Sequence, residues 1–241
     1  VRNQECNFSQ ITRQALYKDL LAEMSFLVHK PTEIKVIQQA LKKFFHSRFN
    51  FRIVNRRMKK VEKNIIYVGG CYRNELDQEH FPSIEIQFFY TPKLKKCALD
   101  AKSLKRFAIV TTDTVLHEII HMRQYRRRNF ESGPGFEGTA QSSDQRRQQN
   151  YLGDQDEIEA YAFNLACELW DKFGRNHSRS LEWLQSDKWQ RDPKSIFYTY
   201  MVTFDGDHNH KVIKKLKTQT KKYLPNYDVD RPFRTTKYLT Y

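Results

Sequence analysis

The stretch Thr112-Asp113-Thr114-Val115-Leu116-His117-Glu118-Ile119-Ile120-His121-Met122-Arg123-Gln124-Tyr125 decides how this chain is read. Val115, Leu116, Ile119, Ile120 and Met122 form an apolar side at helical spacing, and His117, His121 and Gln124 fall on the adjacent stripe. Histidines four residues apart on a helix lie one turn apart on one face, where both imidazoles reach a single metal ion. Glu118 projects beside that ion and can take a proton from a metal-bound water. The pattern predicts a helix over residues 112–128, capped by Thr112 or Asp113, with one side packed and the neighbouring side facing a cleft.

Two histidines do not complete a zinc site, because a catalytic zinc usually has three protein ligands and an open position. A second helix is expected from Asp154 to Phe173, with Ile158, Ala162, Leu165 and Leu169 as its core stripe. Glu157 lies in its first turn, on a stripe with Ala160, Tyr161 and Asn164, and is the candidate third ligand. Asp154-x-x-Glu157 also fits a capping box, which would tie the glutamate to the helix start. Glu159 is a rival ligand, although its stripe carries Phe163, Ala166 and Trp170 and reads as packing surface. The alternative for His117 and His121 is a pair of interior histidines with satisfied hydrogen bonds.

Outward from these helices, Phe8 to Val28 and a segment opened by Pro31 and Thr32 read as a helical hairpin. Strands are expected at 51–54, 64–68 and 83–90, with turns at Gly69-Gly70 and Phe81-Pro82. Residues 91–110 read as a lysine-rich connector with a short helix around Leu104, and 129–153 as a long polar loop. Residues 178–241 read as helices and loops, with a basic helix near Val212 to Tyr223 and an irregular tail. Without repeats or a clear linker, 1–241 is expected to be a single α+β domain. Its parts are a hairpin at 1–50, a core at 51–173 and a mostly helical remainder at 174–241.

The 241 residues are enough for a sizeable core, and 17 Phe and 13 Tyr supply large buriable surfaces. No apolar run is long enough to cross a bilayer and no leader pattern stands at the start, so the reading is a soluble protein. Cys6, Cys71, Cys97 and Cys167 are widely spaced, which fits a reducing compartment better than a disulfide framework. The net charge of +14 predicts attraction to polyanions. The charge concentrates at Arg126-Arg127-Arg128, Arg146-Arg147 and Lys211 to Lys217, as solvated faces or as a docking surface.

H-E-x-x-H followed by a glutamate at the start of a second helix resembles the gluzincin metallopeptidases, where a small residue such as Ala160 lets the two helices approach. The fuller pattern, with Tyr151-Leu152 and Glu157-Ile158-Glu159-Ala160-Tyr161-Ala162, is similar to uncharacterised metallopeptidases encoded by tailed phages. The resemblance covers residues 84–173. It implies a zincin-like fold, with 84–90 as the edge strand lining the cleft. It also implies Zn2+ held by His117, His121 and Glu157, with Glu118 as general base. A metzincin is excluded, because Met122-Arg123-Gln124-Tyr125 replaces that class's glycine and third histidine. A SprT-like assignment would need a third histidine, and His177 falls beyond the second helix.

The expected oxyanion donor is one of Tyr161, Tyr198, Tyr200, His208 and His210, and Asp205 to His210 reads as a polar turn rather than a second metal site. The function implied is a zinc peptidase acting on a virion or host protein, in the virion or the host cytoplasm. The alternative is a structural virion or nucleic-acid-associated protein that keeps the fold as a docking module. Partners would be a protein or peptide substrate, a virion protein, and nucleic acid held without sequence preference by the basic patches, with no membrane.

Overall fold

Asp100, rather than Thr112, opens the helix that carries the motif. In the computed structural model, which describes residues 13–46, 51–57, 66–73 and 83–226, the Asp100 side chain accepts from the Ser103 N–H at 2.6 Å. From that cap, helix α3 runs unbroken over Ala101–Arg127. The expected connector at 91–110 therefore largely joins the helix, with Leu104 and Ala108 buried along its first turns. The expected caps Thr112 and Asp113 lie inside the helix, which runs straight through them with Thr112 fully buried. It stops where Asn129 and Phe130 turn left-handed (φ 53° and 69°) and the Phe130 N–H reaches back to the Tyr125 carbonyl at 2.7 Å.

The chain divides into two compact units, with the boundary inside α3 between Ile119 and Ile120. In the first unit, helix α1 (Arg13–Glu23) and helix α2 (Ile34–His46) bury Leu16, Leu20, Ile37, Leu41 and Phe45. Thr32 does not open α2 as expected: Thr32–Glu33 form a short strand β1 that pairs with β5 (Lys96–Cys97). Arg13 reaches α3 through a buried pair with Asp113, Nε to Oδ1 at 2.6 Å.

The main sheet has the order β2-β4-β3, formed by β2 (Phe51–Arg57), β3 (Tyr67–Arg73) and β4 (Ser83–Tyr90). β2 runs parallel to β4, and β3 runs antiparallel to it. This corrects the expected edge strand: among the described residues β4 is central, paired along its whole length on both sides. Ile84, Ile86, Phe88 and Tyr90 are buried on one face, and Glu85 on the other is also fully buried. The expected turn at Gly69-Gly70 is corrected as well, since both glycines lie inside β3. The start of the first helix at Phe8, positions 64 and 65 of the second expected strand, the Phe81-Pro82 turn, Cys6 and the chain after residue 226 fall outside the described residues.

The second unit is helical. The polar segment expected to be one long loop contains helix α4 (Ser143–Gly153), because its Gln and Arg residues are good helix formers even without an apolar stripe. The irregular part before it is tied down by Gln149, whose Oε1 accepts from the Thr139 and Ala140 N–H groups at 2.9 and 3.0 Å. Helix α5 (Gln155–Phe173) starts as expected, with the Asp154 carboxylate accepting from the Asp156 N–H at 2.8 Å. Its stripe of Ile158, Ala162, Leu165 and Leu169 enters a core built with α6 (His177–Gln185), α7 (Ile196–Thr203) and α8 (Lys211–Asn226). No described helix is long and apolar enough to cross a membrane. Cys71, Cys97 and Cys167 are free thiols.

Candidate metal centre

Helix α3 carries His117 and His121 one turn apart, and α5 supplies Glu157 from its first turn. The candidate ligand atoms of the three residues all lie within 4.8 Å of one another. His121 Nε2 is 3.5 Å from Glu157 Oε1. His117 and His121 are 7% and 9% exposed, and Glu157 is half-buried.

The tautomer of His121 follows from its neighbours. Its Nδ1 lies 2.8 Å from Gln124 Oε1. The Gln124 amide nitrogen is engaged twice, donating to the Asp156 carbonyl at 3.0 Å and to Glu159 Oε2 at 3.1 Å. Both of those partners are acceptors only, which fixes the amide orientation and makes Oε1 the acceptor for His121 Nδ1–H. In a neutral ring Nε2 is then the nitrogen that carries the lone pair, and it faces Glu157. A metal-binding histidine commonly has this arrangement, with the outer nitrogen donating to a fixed acceptor.

Asp156 is itself anchored. Arg128 grips its carboxylate with both terminal nitrogens, Nη1 donating to Oδ1 at 2.7 Å and Nη2 to Oδ2. Glu159 is not in the ligand group; it pairs with Arg127 at 3.3 Å and accepts from Gln124. Two of the three arginines in the expected basic cluster thus hold carboxylates of α5. The capping alternative is met in one half: the Asp154 carboxylate accepts from the Glu157 N–H, while the Asp154 N–H donates to the Tyr151 carbonyl at 3.2 Å.

Glu118 is buried, and strand β3 closes on it. A Cβ on Gly70 would stand 2.5 Å from Glu118 Oε1 and 2.7 Å from Thr114 Cγ2, so only glycine lets the strand approach the helix this closely. The neighbouring Cys71 thiol is pushed above its ordinary pKa, first by burial and then by the charge of Glu118.

Of the five expected donors, Tyr161 and Tyr200 are near Glu157. Their rings are 5.9 Å apart, and the Tyr200 hydroxyl is held far above its ordinary pKa by burial, then by Tyr161 and Glu157. Tyr198 packs on Trp189 at 5.8 Å. His208 lies between Asp187 at 3.2 Å and Lys217 at 2.6 Å. His210 stacks on Phe204 at 4.6 Å and accepts from the Val212 N–H at 3.3 Å, so the Asp205 to His210 turn starts α8.

Tyr151 is a functional candidate that sequence reasoning misses. The residue is 49% exposed, while its hydroxyl is 3.3 Å from that of Tyr161 and hydrogen-bonds Glu157; crowding around that hydroxyl and then the Glu157 charge raise its pKa. It therefore stays a neutral donor at any working pH. The signal for it lies in Tyr151-Leu152 beside the glutamate helix, but a polar segment without an apolar stripe reads as loop. No protein-family model, curated protein or solved structure matches this chain.

Proposed function

We propose that the protein is a zinc-dependent peptidase of gluzincin type, in which His117, His121 and Glu157 hold the metal and Glu118 is the general base. The observation that carries the reading is the His121 geometry. With Nδ1 committed to Gln124, Nε2 is the nitrogen turned to the Glu157 carboxylate, and the ligand atoms of both lie within 4.8 Å of that of His117. Two imidazole nitrogens and one carboxylate oxygen are a donor set that suits zinc and leaves a fourth position open. When bound, zinc supplies a Lewis acid and lowers the pKa of coordinated water to about 7.

The remaining chemistry belongs to the chain. Glu118 takes the proton of the attacking water on a carboxylate oxygen and passes it to the nitrogen of the departing amine. Gly70 fixes where that carboxylate stands. Tyr151, whose hydroxyl donates to Glu157, holds that carboxylate in place from the outer side. The resemblance to phage-encoded enzymes extends the reading to a virion or host protein as substrate.

Metal analysis of the purified protein together with cleavage of an unstructured protein substrate tests the reading. About one equivalent of zinc is expected. Glu118→Gln should keep the metal and the fold while abolishing cleavage. Failure to bind zinc after incubation with excess metal would overturn the assignment.

A further inference from the structure

The sheet of the first unit has a second face with a composition that its packing does not require. In a strand, successive side chains alternate between faces, and residues directly opposite on paired strands share one. Glu85, Gln87 and Phe89 of β4 therefore share a face with Arg52 and Arg56 of β2 and with Tyr67, Gly69, Cys71 and Arg73 of β3. The opposite face carries Ile84, Ile86, Phe88 and Tyr90 and is core.

Three guanidiniums on this face converge on one carboxylate. Arg52, Arg56 and Arg73 lie 3.8, 3.7 and 3.7 Å from the oxygens of Glu85, which also accepts from Gln87 Nε2 at 2.8 Å. Glu85 is wholly buried, while the arginine side chains are 46%, 47% and 38% exposed. One negative charge set against three positive charges leaves a surplus of two. Glu85 thus orients the arginines without neutralising them. The groove at the outer side of β2, lined by Lys35, Gln38, Gln39 and Lys42 with Arg52 and Ile53, continues the positive track towards α2.

Beside the arginines stands an aromatic pair. Tyr67 is directly opposite Phe89, and Arg56 is opposite Phe89 on its other side. Tyr67 is 47% exposed, an unusual position for a large aromatic side chain with no core to fill. Gly69 leaves the space over which the Phe89 ring lies, since a Cβ there would stand 3.0 Å from the ring edge. The Phe89 ring thus reaches over Gly69, on the strand position directly opposite Tyr67.

We propose that this face binds single-stranded nucleic acid, with bases stacked on Tyr67 and Phe89 and phosphates held by Arg52, Arg56 and Arg73. Stacking platforms flanked by cations are how proteins hold unpaired strands without reading sequence. A duplex keeps its base faces inside its own stack and offers nothing to Tyr67. An acidic protein surface would use the arginines but not the aromatic pair. This surface lies within the first unit and stands independently of the proposed hydrolysis.

The test is fluorescence anisotropy of the full chain with a labelled oligothymidylate of about twenty nucleotides, against a duplex of the same length and with polyglutamate as competitor. The single strand should bind more tightly than the duplex and resist polyglutamate. Tyr67→Ala should weaken binding about tenfold, and Phe89→Leu should do the same. Arg56→Gln should reduce the slope of log affinity against log salt by about 0.7. Tyr67 is exposed, so its variant should unfold at the wild-type midpoint and isolate the stacking effect. Tighter duplex binding, full displacement by polyglutamate, wild-type affinity in Tyr67→Ala, or no binding would each overturn the proposal.

Discussion

His121 Nδ1 donates to Gln124 Oε1 at 2.8 Å, three residues further along the same helix, and the Gln124 amide nitrogen is held by the Asp156 carbonyl and Glu159 of α5. The link makes α5 a scaffold for a histidine it does not carry. Gln124→Leu removes the acceptor and frees the ring to place its proton on Nε2. Zinc affinity should fall about 10- to 100-fold, measured by competition with a chromogenic chelator. Wild-type competition by the variant would show that Gln124 does not orient the ring.

Gly70 tests the approach of β3 to the motif helix. With a methyl group 2.5 Å from Glu118 Oε1, either the carboxylate or the strand must move. Gly70→Ala should cost about 1–3 kcal/mol of stability by overpacking, read from urea unfolding. A displacement of Glu118 of about 1 Å should reduce cleavage on the order of 100-fold. Metal stoichiometry should hold, because no ligand is touched. Loss of zinc with intact cleavage geometry is the outcome that would contradict this placement.

The motif helix was legible because its chemistry is local: four-residue spacing puts His117 and His121 together on any helix, whatever surrounds it. Glu157 and the core stripe of α5 were legible for the same reason. What could not be read depended on distant partners. Gly69-Gly70 carries the ordinary signal of a turn, and only Glu118, Thr114 and Phe89 reveal that it is a place of close approach. Gln124 falls on the ligand stripe, but its role depends on atoms of α5. The alternation at 83–90 identified a strand without its neighbours, so its central place between a parallel and an antiparallel partner was hidden. Thr112-Asp113 resembles a helix start because nothing local reports that Thr112 is buried and Asp113 is paired with Arg13.

Glu157 and Glu159 separate by their surroundings. Glu157 faces His121 at 3.5 Å, whereas Glu159 serves Arg127 and Gln124. Glu157→Gln should lose zinc at concentrations that saturate the wild type. Glu159→Gln should retain it, since an amide oxygen still accepts from Gln124 and the partly exposed pair with Arg127 is worth less than about 1 kcal/mol. Zinc analysis after gel filtration checks both variants, and a reversed pattern would move the third ligand to Glu159.

Glu168 gives a pH-dependent prediction away from the metal. Its carboxylate accepts from the Ile196 N–H at 3.0 Å, joining α5 to the start of α7. Burial nevertheless outweighs that bond and raises the carboxyl above its ordinary value of 4.5. A folded-state pKa above the unfolded one means that the native protein holds the proton more firmly. This group's contribution is therefore fully present below about pH 4.5 and is lost as pH rises through the folded value. Glu168→Gln keeps an acceptor for Ile196 and never ionises, so it escapes that loss. Its stability relative to the wild type, read from urea midpoints, should increase as pH rises from 4.5 and then level off above the folded value. A relative stability that instead grows on acidification would mean that the Ile196 N–H and Ser195, rather than burial, govern this carboxylate.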